Sequence, residues 1–457
     1  MTPLVVIDVV GLTAAQVGAD SPALAALARE GFLIPMGAVL PAVTCSAQSS
    51  MLTGTLPRDH GIVGNGWYFR DLSEIWLWRQ SNRLVAGQKV WEAARRRHRG
   101  FTCAQLFWWY NMYSTADWSV TPRPSYPADG RKIPGIYTRP HDLKYELERE
   151  LGPFPLFNFW GPTASIVSSR WIAECARLII ERRRPSLTLV YLPHLDYDHQ
   201  RFGPDDPRSR AALRAVDELV GALAAQARRE GAQVLVVSEY GIRPVRKPVD
   251  INRELRRSGL LEVHETLGWE LLDAGASRAF AVADHQVAHV YVRDPDDVGR
   301  VRSLLEKLDG VAEVLDEFDK HRVGLDHHRS GDLVAVASPD AWFTYYYWLN
   351  DARAPDFAPT VDIHRKPGYD PAELFLASER IGTKLRIGWR LGQKLLGFRY
   401  LMDVIPLHGD WVRGSHGRLP NDPLHGPVLL GGYRTLAPTS PPAMTDVFDL
   451  ILQHLER

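Results

Sequence analysis

The sequence Leu4-Val5-Val6-Ile7-Asp8 is a short apolar run that leads directly to an acidic residue. Two later runs have the same form, because Leu187–Leu192 leads to Asp196 and Val234–Val237 leads to Glu239. Continuous apolar runs of this length are typical of central strands that are covered on both faces. The three runs therefore predict buried strands, each followed by polar side chains at its carboxyl end.

Stretches with helical periodicity lie between and around these runs: Ser21–Arg29, Val90–Arg97, Ser168–Arg183 and Asp206–Arg229. Alternation of strands and helices favours a mainly parallel sheet with helices on both sides, so the predicted fold class is α/β. Ligands of such sheets bind beyond the carboxyl ends of the strands, which is where the acidic residues fall.

The composition limits the classes of protein that fit. The 457 residues are 45% apolar and 24% charged, which suits a globular enzyme with one large domain plus insertions or with two domains. Lys plus Arg and Asp plus Glu both number 54, so the net charge of zero predicts neither a nucleic-acid polymer nor an anionic membrane as partner. Cys45, Cys103 and Cys175 show no CxxC spacing, which argues against a disulfide framework and a cysteine zinc site.

The N-terminal run has no basic segment before it, and Asp8 interrupts it, so it predicts a buried strand and not a signal peptide. No stretch of the sequence has the length and apolarity of a membrane span. We therefore expect a cytoplasmic protein with no membrane partner.

Two regions depart from this alternation and are predicted as insertions in a single catalytic domain that spans 1–457. Residues 100–162 are rich in aromatic side chains, proline and glycine, which predicts either a lid over the strand ends or a peripheral hydrophobic cluster. Residues 284–407 combine a small α+β unit with an aromatic, proline-rich loop, after which His408–Asn421 is expected to return to the core. The elements predicted for the small unit are Ala288–Val292, Asp296–Leu308, Val311–Leu315 and Leu333–Ala337.

One segment combines a helix start with a hydroxyl group. Residues 41–54 read Pro41-Ala42-Val43-Thr44-Cys45-Ser46-Ala47-Gln48-Ser49-Ser50-Met51-Leu52-Thr53-Gly54. This composition predicts a helix whose first turn contains Thr44, where free backbone N–H groups and the helix dipole favour negative charge. A threonine alkoxide at such a position is a credible nucleophile if a metal ion also lowers its pKa.

Asp8, Thr44, Asp196, Glu239 and His416 are the candidates for a metal site. Each lies near the end of a predicted strand or in a loop beside glycine, and carboxylate oxygens with a few imidazoles suit Zn²⁺ or Mn²⁺. Two such ions about 4 Å apart activate a nucleophile and stabilise a leaving oxygen. The alternative fits the same residues, since strand-end aspartates commonly cap turns and loop histidines commonly lie at the surface.

The segment from Pro41 to Asn65 resembles the nucleophile region of nucleotide pyrophosphatase/phosphodiesterases, which belong to the alkaline phosphatase superfamily. After residue 50 it reads Met51-Leu52-Thr53-Gly54-Thr55-Leu56-Pro57-Arg58-Asp59-His60-Gly61-Ile62-Val63-Gly64-Asn65. Other motifs follow the family's order: Asp8 after the first strand, Asp196 with Phe202-Gly203-Pro204, Ser238-Glu239-Tyr240-Gly241 and Gly414-Ser415-His416-Gly417. The resemblance covers most of the chain and implies an alkaline phosphatase-like fold with a mainly parallel central sheet flanked by helices.

The resemblance also implies a role for each matching residue. Thr44 would be the nucleophile that bridges two divalent metal ions, and Asn65 would hydrogen-bond a non-bridging phosphoryl oxygen. The implied metal ligands are Asp196, Gln200 and His416 for the first ion and Asp8, Thr44, Glu239 and Tyr240 for the second.

Two of these positions depart from the family pattern, because Gln200 and Tyr240 stand where histidines are expected. Loss of two imidazoles predicts a harder, oxygen-rich site that prefers Mn²⁺ or Mg²⁺ to Zn²⁺, or a site with one position weak or empty. The histidines that could replace the missing ligands are His194, His199, His364 and His408. His364 also opens a cationic segment that would either meet a substrate phosphate or form a solvated loop.

Related families fit less well. Sulfatases need Cys or Ser followed by Pro two residues on and Arg two further, but Ser46-Ala47-Gln48-Ser49 follows Cys45. Cofactor-independent phosphoglycerate mutases use Ser at the nucleophile position, whereas phosphonoacetate hydrolases share the Thr. The resemblance therefore implies metal-dependent hydrolysis of a phosphodiester, pyrophosphate or phosphonate bond in a small phosphorylated molecule, through a covalent phosphoryl-threonine.

Phe69 and Trp108 are predicted to stack on a base or another flat group of the substrate. Two other functions stay open. If the altered ligands abolish hydrolysis, the protein would be a metal-poor binding or scaffold protein in a biosynthetic pathway. If the aromatic lid excludes water, the protein would be a transferase that uses another acceptor. The hydrolase hypothesis requires that Asp8 and Glu239 lie beside the Thr44 hydroxyl.

Overall fold

The computed structural model describes residues 1–128, 131–377, 385, 388–393, 396, 398 and 401–457. Its strands are β1 Leu4–Val9, β2 Phe32–Pro35, β3 Gly66–Phe69, β4 Glu74–Leu77, β5 Cys103–Leu106, β6 Trp118–Pro122, β7 Ile136–Arg139, β8 Leu187–Leu192, β9 Gln233–Val237, β10 Arg243–Pro244, β11 Lys247–Val249, β12 Glu262–Thr266, β13 Trp269–Asp273, β14 Ala279–Asp284, β15 Val287–Val292, β16 Val311–Leu315, β17 Leu333–Ala337, β18 Ala341–Phe343, β19 Gly414–Ser415 and β20 Val428–Gly431. Its α-helices, among these residues, are α1 Pro22–Glu30, α2 Thr44–Thr53, α3 Pro57–His60, α4 Val90–Arg97, α5 Leu143–Leu151, α6 Ile166–Arg183, α7 His194–Phe202, α8 Pro207–Arg229, α9 Ile251–Arg257, α10 Val298–Leu305, α11 Glu317–Val323 and α12 Val447–Leu455.

An eight-stranded sheet with the order β2-β20-β9-β1-β8-β5-β6-β7 forms the centre of the fold. Strands β9, β1, β8, β5 and β6 run parallel, whereas β20 pairs antiparallel with β9 and β7 pairs antiparallel with β6. Every residue of β1 and β8 is buried, which explains why these strands read as continuous apolar runs. The predicted α/β class, with a large central sheet flanked by helices, is confirmed.

Strand β1 extends two residues further than its apolar run, Leu4–Ile7, predicted. Asp8 lies inside the strand and pairs with Tyr191 of β8 and Val237 of β9, and Val9 continues the ladder to β8. The helical periodicities correspond closely to α1, α4, α6 and α8, and only the predicted Asp296–Leu308 helix is shorter, at Val298–Leu305.

The predicted aromatic insertion at 100–162 is largely part of the central sheet. It supplies β5, β6 and β7, so it is not a lid laid over a finished core. The sequence hid these strands because they are short and separated by aromatic and proline-rich loops. Residues 129 and 130 of this range lie outside the described residues.

A second, antiparallel sheet has the order β14-β15-β17-β16 and its own hydrophobic core. The sequence predicted three of its strands but missed β14, which enters the sheet before residue 284. The aromatic run Tyr345–Trp348 is fully buried in this core. Of the predicted insertion at 284–407, residues 378–384, 386–387, 394–395, 397 and 399–400 lie outside the described residues.

The chain rejoins the central sheet later than predicted. Within His408–Asn421 the short strand β19 pairs only with β10, in a two-stranded ladder that carries His416 just after it. The return to the main sheet occurs at β20, between β2 and β9. None of the helices in the described part of the chain is long and apolar enough to cross a membrane.

Candidate active site

Thr44 is the first residue of α2, as the sequence predicted, and it lines a cavity at the carboxyl end of the central strands. The residue before it, Val43, is extended with φ −132° and ψ 157°, which gives the helix a sharp start. The segment before Thr44 is attached to the loop that contains His416, because the Ala42 N–H donates to the Gly417 carbonyl at 2.8 Å. The Thr44 Oγ1 atom lies 3.1 Å from the Tyr240 hydroxyl.

Asp8 and Glu239 form a buried acidic pair beside Thr44. Both side chains are 0% exposed, and the Gln48 amide nitrogen donates to Asp8 Oδ2 at 3.1 Å and to Glu239 Oε1 at 2.6 Å. Burial raises the pKa of Glu239 to about 7, an effect that contacts with Asp8 and Thr44 partly offset. Burial and the neighbouring Glu239 raise the pKa of Asp8 well above its usual range. This acidic pair therefore lies beside the Thr44 hydroxyl, which is the arrangement that the hydrolase hypothesis requires.

The other half of the site contains Asp196, Gln200, Tyr240 and His416. Asp196 lies in the first turn of α7, and its Oδ2 atom accepts from the Gln200 amide nitrogen at 2.8 Å. Its Oδ1 atom lies 3.5 Å from the Tyr240 hydroxyl, which donates to it, and 3.7 Å from His416 Nε2. Burial raises the pKa of Asp196 to about 7.

The tautomer of His416 follows from its hydrogen bonds. Its Nδ1–H donates to the Ala42 carbonyl at 2.8 Å, so Nε2 carries the lone pair and faces the site without a partner in the described residues. Burial lowers the pKa of His416 to about 3, which keeps the ring neutral. The ring stacks on Tyr240, with centroids 3.5 Å apart and planes 7° apart, and lies 3.6 Å from the His285 ring.

Asn65 is held behind Thr44 by residues of both sheets. Its Oδ1 atom accepts from the Cys45 N–H at 3.0 Å, and its Nδ2 and backbone N–H donate to the Asp284 carboxylate at 3.0 and 2.8 Å. Asp284 ends β14, so the second sheet fixes the residue that the resemblance assigns to phosphoryl binding.

The sequence analysis missed Gln48, Asp284, His285 and Tyr369, all of which contact this site. His285 lines the cavity with a left-handed φ of 61°, and its ring stacks on Tyr369 with centroids 3.7 Å apart. A non-glycine residue in this conformation is uncommon and concentrates at functional sites. The sequence contained a signal for Asp284, because Ala279–Ala283 is an apolar run that leads to it. The run was not recognised as a strand of the small sheet, because the insertion was predicted to begin only at residue 284.

The cavity beside Thr44 has a mainly aromatic lining. Its Trp, Tyr and Phe rings come from Trp78, Trp109, Tyr126, Phe159, Trp160, Tyr191, Tyr197, Tyr240 and Tyr369. Neither predicted stacking residue lines it. Trp108 is 0% exposed in the main core, and Phe69 packs against Trp67 and Trp76. Trp109 faces the cavity because the backbone at Phe107, with φ 65°, turns sharply at the end of β5.

The four candidate replacement histidines do not gather around Thr44. His194 and His199 are buried on α7 and do not line the cavity, and His199 Nε2 lies 3.4 Å from the Gln16 amide nitrogen. His408 is exposed near Asp410, at 3.7 Å. His364 lines the cavity and lies near Tyr126, with ring centroids 6.3 Å apart.

The residues present do not fit the two-metal centre that the resemblance implies. No group of three or more His, Cys, Asp or Glu side chains arranged to hold a metal ion occurs in the described ranges of the chain. The Gln200 amide directs its nitrogen, which is not a metal ligand, at Asp196. Tyr240, at the other altered position, makes hydrogen bonds to Thr44 and Asp196.

Known proteins resemble this chain in both sequence and fold. A family model described as type I phosphodiesterase / nucleotide pyrophosphatase matches residues 4–370. An uncharacterised pyrophosphatase/phosphodiesterase of Schizosaccharomyces pombe is 23% identical over 223 residues, which are 47% of this chain and 38% of that protein. The match thus spans well under half the length of this curated relative.

Solved structures with the same fold cover nearly the whole chain. Phosphonoacetate hydrolase from Sinorhizobium meliloti, in complex with phosphonoformate, has a TM-score of 0.64 at 15% identity, over 99% of this chain and 96% of that chain. An inactive variant of murine ectonucleotide pyrophosphatase/phosphodiesterase 5, in complex with AMP, has a TM-score of 0.59 at 13% identity, over 100% and 95% of the two chains.

The family match over most of the sequence agrees with the position of Thr44 at a helix entrance beside buried acidic side chains. The chain belongs to the type I phosphodiesterase/nucleotide pyrophosphatase family.

Proposed function

We propose that the protein hydrolyses a phosphodiester, pyrophosphate or phosphonate bond of a small molecule, with Thr44 as the nucleophile. The observation that carries this proposal is the position of the Thr44 hydroxyl. It lies at the first residue of the ten-residue helix α2 and opens into the aromatic cavity. The positive end of a helix dipole favours the developing alkoxide and the phosphoryl oxygens.

The residues around Thr44 support a two-step reaction. In the first step Thr44 Oγ1 bonds to phosphorus and the bond from phosphorus to the leaving group breaks. The leaving atom, which is oxygen in an ester or anhydride and carbon in a phosphonate, takes a proton from solvent. The Thr44 proton passes to the Tyr240 hydroxyl, 3.1 Å away, while Tyr240 gives its own proton to Asp196, 3.5 Å away. In the second step water bonds to phosphorus and releases a proton to solvent, the Thr44–phosphorus bond breaks, and Asp196 returns its proton through Tyr240 to Thr44.

The cavity supports a substrate with a flat or apolar substituent. Aromatic rings stack on planar groups, and nine Trp, Tyr and Phe rings line the cavity. A nucleoside or another aryl-substituted phosphoester uses this space better than a two-carbon phosphonate does. Hydrolysis of a bulky phosphoester is therefore preferred to phosphonoacetate-type hydrolysis.

Turnover of the Thr44→Ala variant tests the proposal. We expect bis(p-nitrophenyl) phosphate turnover to fall by at least about a thousandfold, because the covalent step is removed. Thr53→Ala, at the far end of the same helix, is the matched control and should retain activity. Mass spectrometry of acid-quenched wild-type protein should show a phosphoryl adduct on Thr44. Undiminished turnover in Thr44→Ala would refute the proposal.

A second candidate function is transfer of the phosphoryl group to an acceptor other than water. The mainly aromatic lining beside Thr44 favours it, because apolar rings make a poor environment for attacking water. The ratio of transfer product to hydrolysis product, measured with an added alcohol acceptor, separates the two. If the ratio of transfer product to hydrolysis product merely equals the molar ratio of alcohol to water, the protein has no preference for the alcohol. That result supports hydrolysis as the function.

A further inference from the structure

Gln48 lies between the two carboxyl groups that the family uses for one metal ion. Its Oε1 atom accepts from the backbone N–H of Trp109 at 2.7 Å, and its Nε2 donates to both Asp8 and Glu239. The orientation of the amide is therefore fixed, because a flipped amide would place its NH2 group against the Trp109 N–H. A neutral donor thus binds the two oxygens, Asp8 Oδ2 and Glu239 Oε1, that a cation would otherwise bind.

Gln200 shows the same arrangement in the other half of the site. Its Nε2 donates to Asp196 Oδ2 at 2.8 Å, while its Oε1 accepts from the Tyr369 hydroxyl at 2.9 Å. The only atom of Gln200 that can bind a metal is therefore turned away from Asp196 and used by Tyr369. Tyr240 likewise binds atoms that a metal ion would use, since its hydroxyl bonds to Thr44 and to the other carboxylate oxygen of Asp196.

The donor atoms left over are too few for two ions. A catalytic zinc takes about three protein ligands, so two ions need about six donor atoms, fewer only if one is shared. In the described part of the site the acceptors without a partner are Asp8 Oδ1, Glu239 Oε2, His285 Nδ1 and His416 Nε2, to which the Thr44 hydroxyl can be added. These five atoms are fewer than the roughly six that two ions with separate ligands need, and only two of them are carboxylate oxygens.

We infer that neutral hydrogen-bond donors replace the family's pair of cations, so that this protein binds fewer than two divalent cations per chain. Gln48, Gln200 and Tyr240 are the residues that set this stoichiometry. The inference rests on the proposed function only for the identity of the site, because the number of bound ions is measured without turnover.

Metal stoichiometry of the full-length protein tests the inference. Purified protein is equilibrated with micromolar free Mn²⁺ or Zn²⁺, and the bound metal is counted by mass spectrometry and by titration calorimetry. The Asp8→Ala/Asp196→Ala double variant gives the contribution of surface sites, which is subtracted. We expect at most one ion per chain at the site, and two ions per chain would overturn the inference.

The variant Gln200→His/Tyr240→His restores the two imidazoles and is expected to raise the stoichiometry by one. Gln226→His places a histidine at another buried glutamine, on α8 and away from the site, and should leave the stoichiometry unchanged. A folded double variant that gains no ion would contradict the assignment to Gln200 and Tyr240. If the double variant does not fold, the wild-type count still decides the inference, and Gln48→Ala becomes the second variant, with the same expected gain.

Failure of the two proposals is distinguishable. Two ions per chain with activity lost in Thr44→Ala would leave the proposed function intact and refute this inference. At most one ion per chain with full activity in Thr44→Ala would refute the proposed function and leave this inference intact.

Discussion

Two buried clusters of acidic side chains differ in how their charge is balanced. In the first, the Lys366 ammonium contacts Asp370 Oδ2 at 2.7 Å and Glu373 Oε1 at 2.8 Å, so a cation lies between the two acids. In the second, Asp8 and Glu239 contact each other and receive the neutral Gln48 amide, and each keeps one oxygen without a partner in the described residues.

The difference separates a cluster whose charges balance one another from the pair that we propose acts in the site. Lys366, Asp370 and Glu373 satisfy one another, and Glu373 also accepts from the Trp160 indole at 2.5 Å, which fixes part of the cavity wall. Asp8 and Glu239 have no basic side chain that balances their charge among the contacts described above. Buried acids with strongly shifted pKa values are typical of sites that act on a ligand.

Removal of the cation from the complete cluster should have the largest effect. Lys366→Met leaves two buried carboxylates without a counter-charge, so we expect a loss of about 3–5 kcal/mol in the free energy of unfolding. Urea denaturation measures it. Lys320→Met is the matched control, because that half-buried ammonium donates to the neutral Gly331 carbonyl and its removal should cost about 1–2 kcal/mol. Equal losses in the two variants would remove the distinction between the clusters.

Asp284 represents an intermediate case, a buried acid that is balanced by two N–H donors of Asn65. Asp284→Ala releases Asn65, and we expect kcat to fall about a hundredfold, as for the loss of an oriented phosphoryl-oxygen donor. Asp217→Ala is the control, because Asp217 accepts the N–H groups of Ala23 and Leu24 on the far side of the sheet. That variant should lose stability but keep its turnover per folded molecule.

Neutralising one acid of the incomplete pair should stabilise the protein. Glu239→Gln removes a carboxyl whose pKa rises from 4.5 to about 7 on folding, so we expect a gain of about 2 kcal/mol at pH 8 together with reduced turnover. The folded wild type binds more protons between these pKa values, so its stability falls as pH rises from 4.5 to about 7. The gain of the variant should grow across that window in denaturation at a series of pH values. A loss of stability in Glu239→Gln would contradict the contrast between the clusters.

The smallest expected effect concerns Tyr240, whose hydroxyl is the partner of the proposed nucleophile, Thr44. Tyr240→Phe keeps the ring on His416 but removes the hydrogen bond to Thr44, so we expect about a tenfold fall in kcat, or about 1.4 kcal/mol. Tyr345→Phe is the control, because its buried hydroxyl has no partner among the described residues and lies in the second core. Equal kcat values for wild type and Tyr240→Phe would remove Tyr240 from the proton path.

Continuous apolar runs predicted the strand that contains Asp8 and the strands before Asp196 and Glu239, because these strands are buried on both faces. It failed for β5, β6 and β7, whose four or five residues are too short for a periodic signal. The resemblance identified Thr44, Asn65 and His416 at their positions in the site. It gave no information on Gln48 or His285, because neither belongs to a motif.

The sequence by itself determined the α/β architecture, the helix start at Thr44 and the order of the acidic residues, since these depend on local pattern. Only the tertiary structure decided which donors face those acids. Amide orientation at Gln48 and Gln200 depends on the Trp109 backbone and the Tyr369 hydroxyl, which lie 61 and 169 residues away along the chain. Hydrogen bonds between residues so far apart leave no periodicity in the sequence, and they set whether a carboxylate meets a cation or a neutral donor.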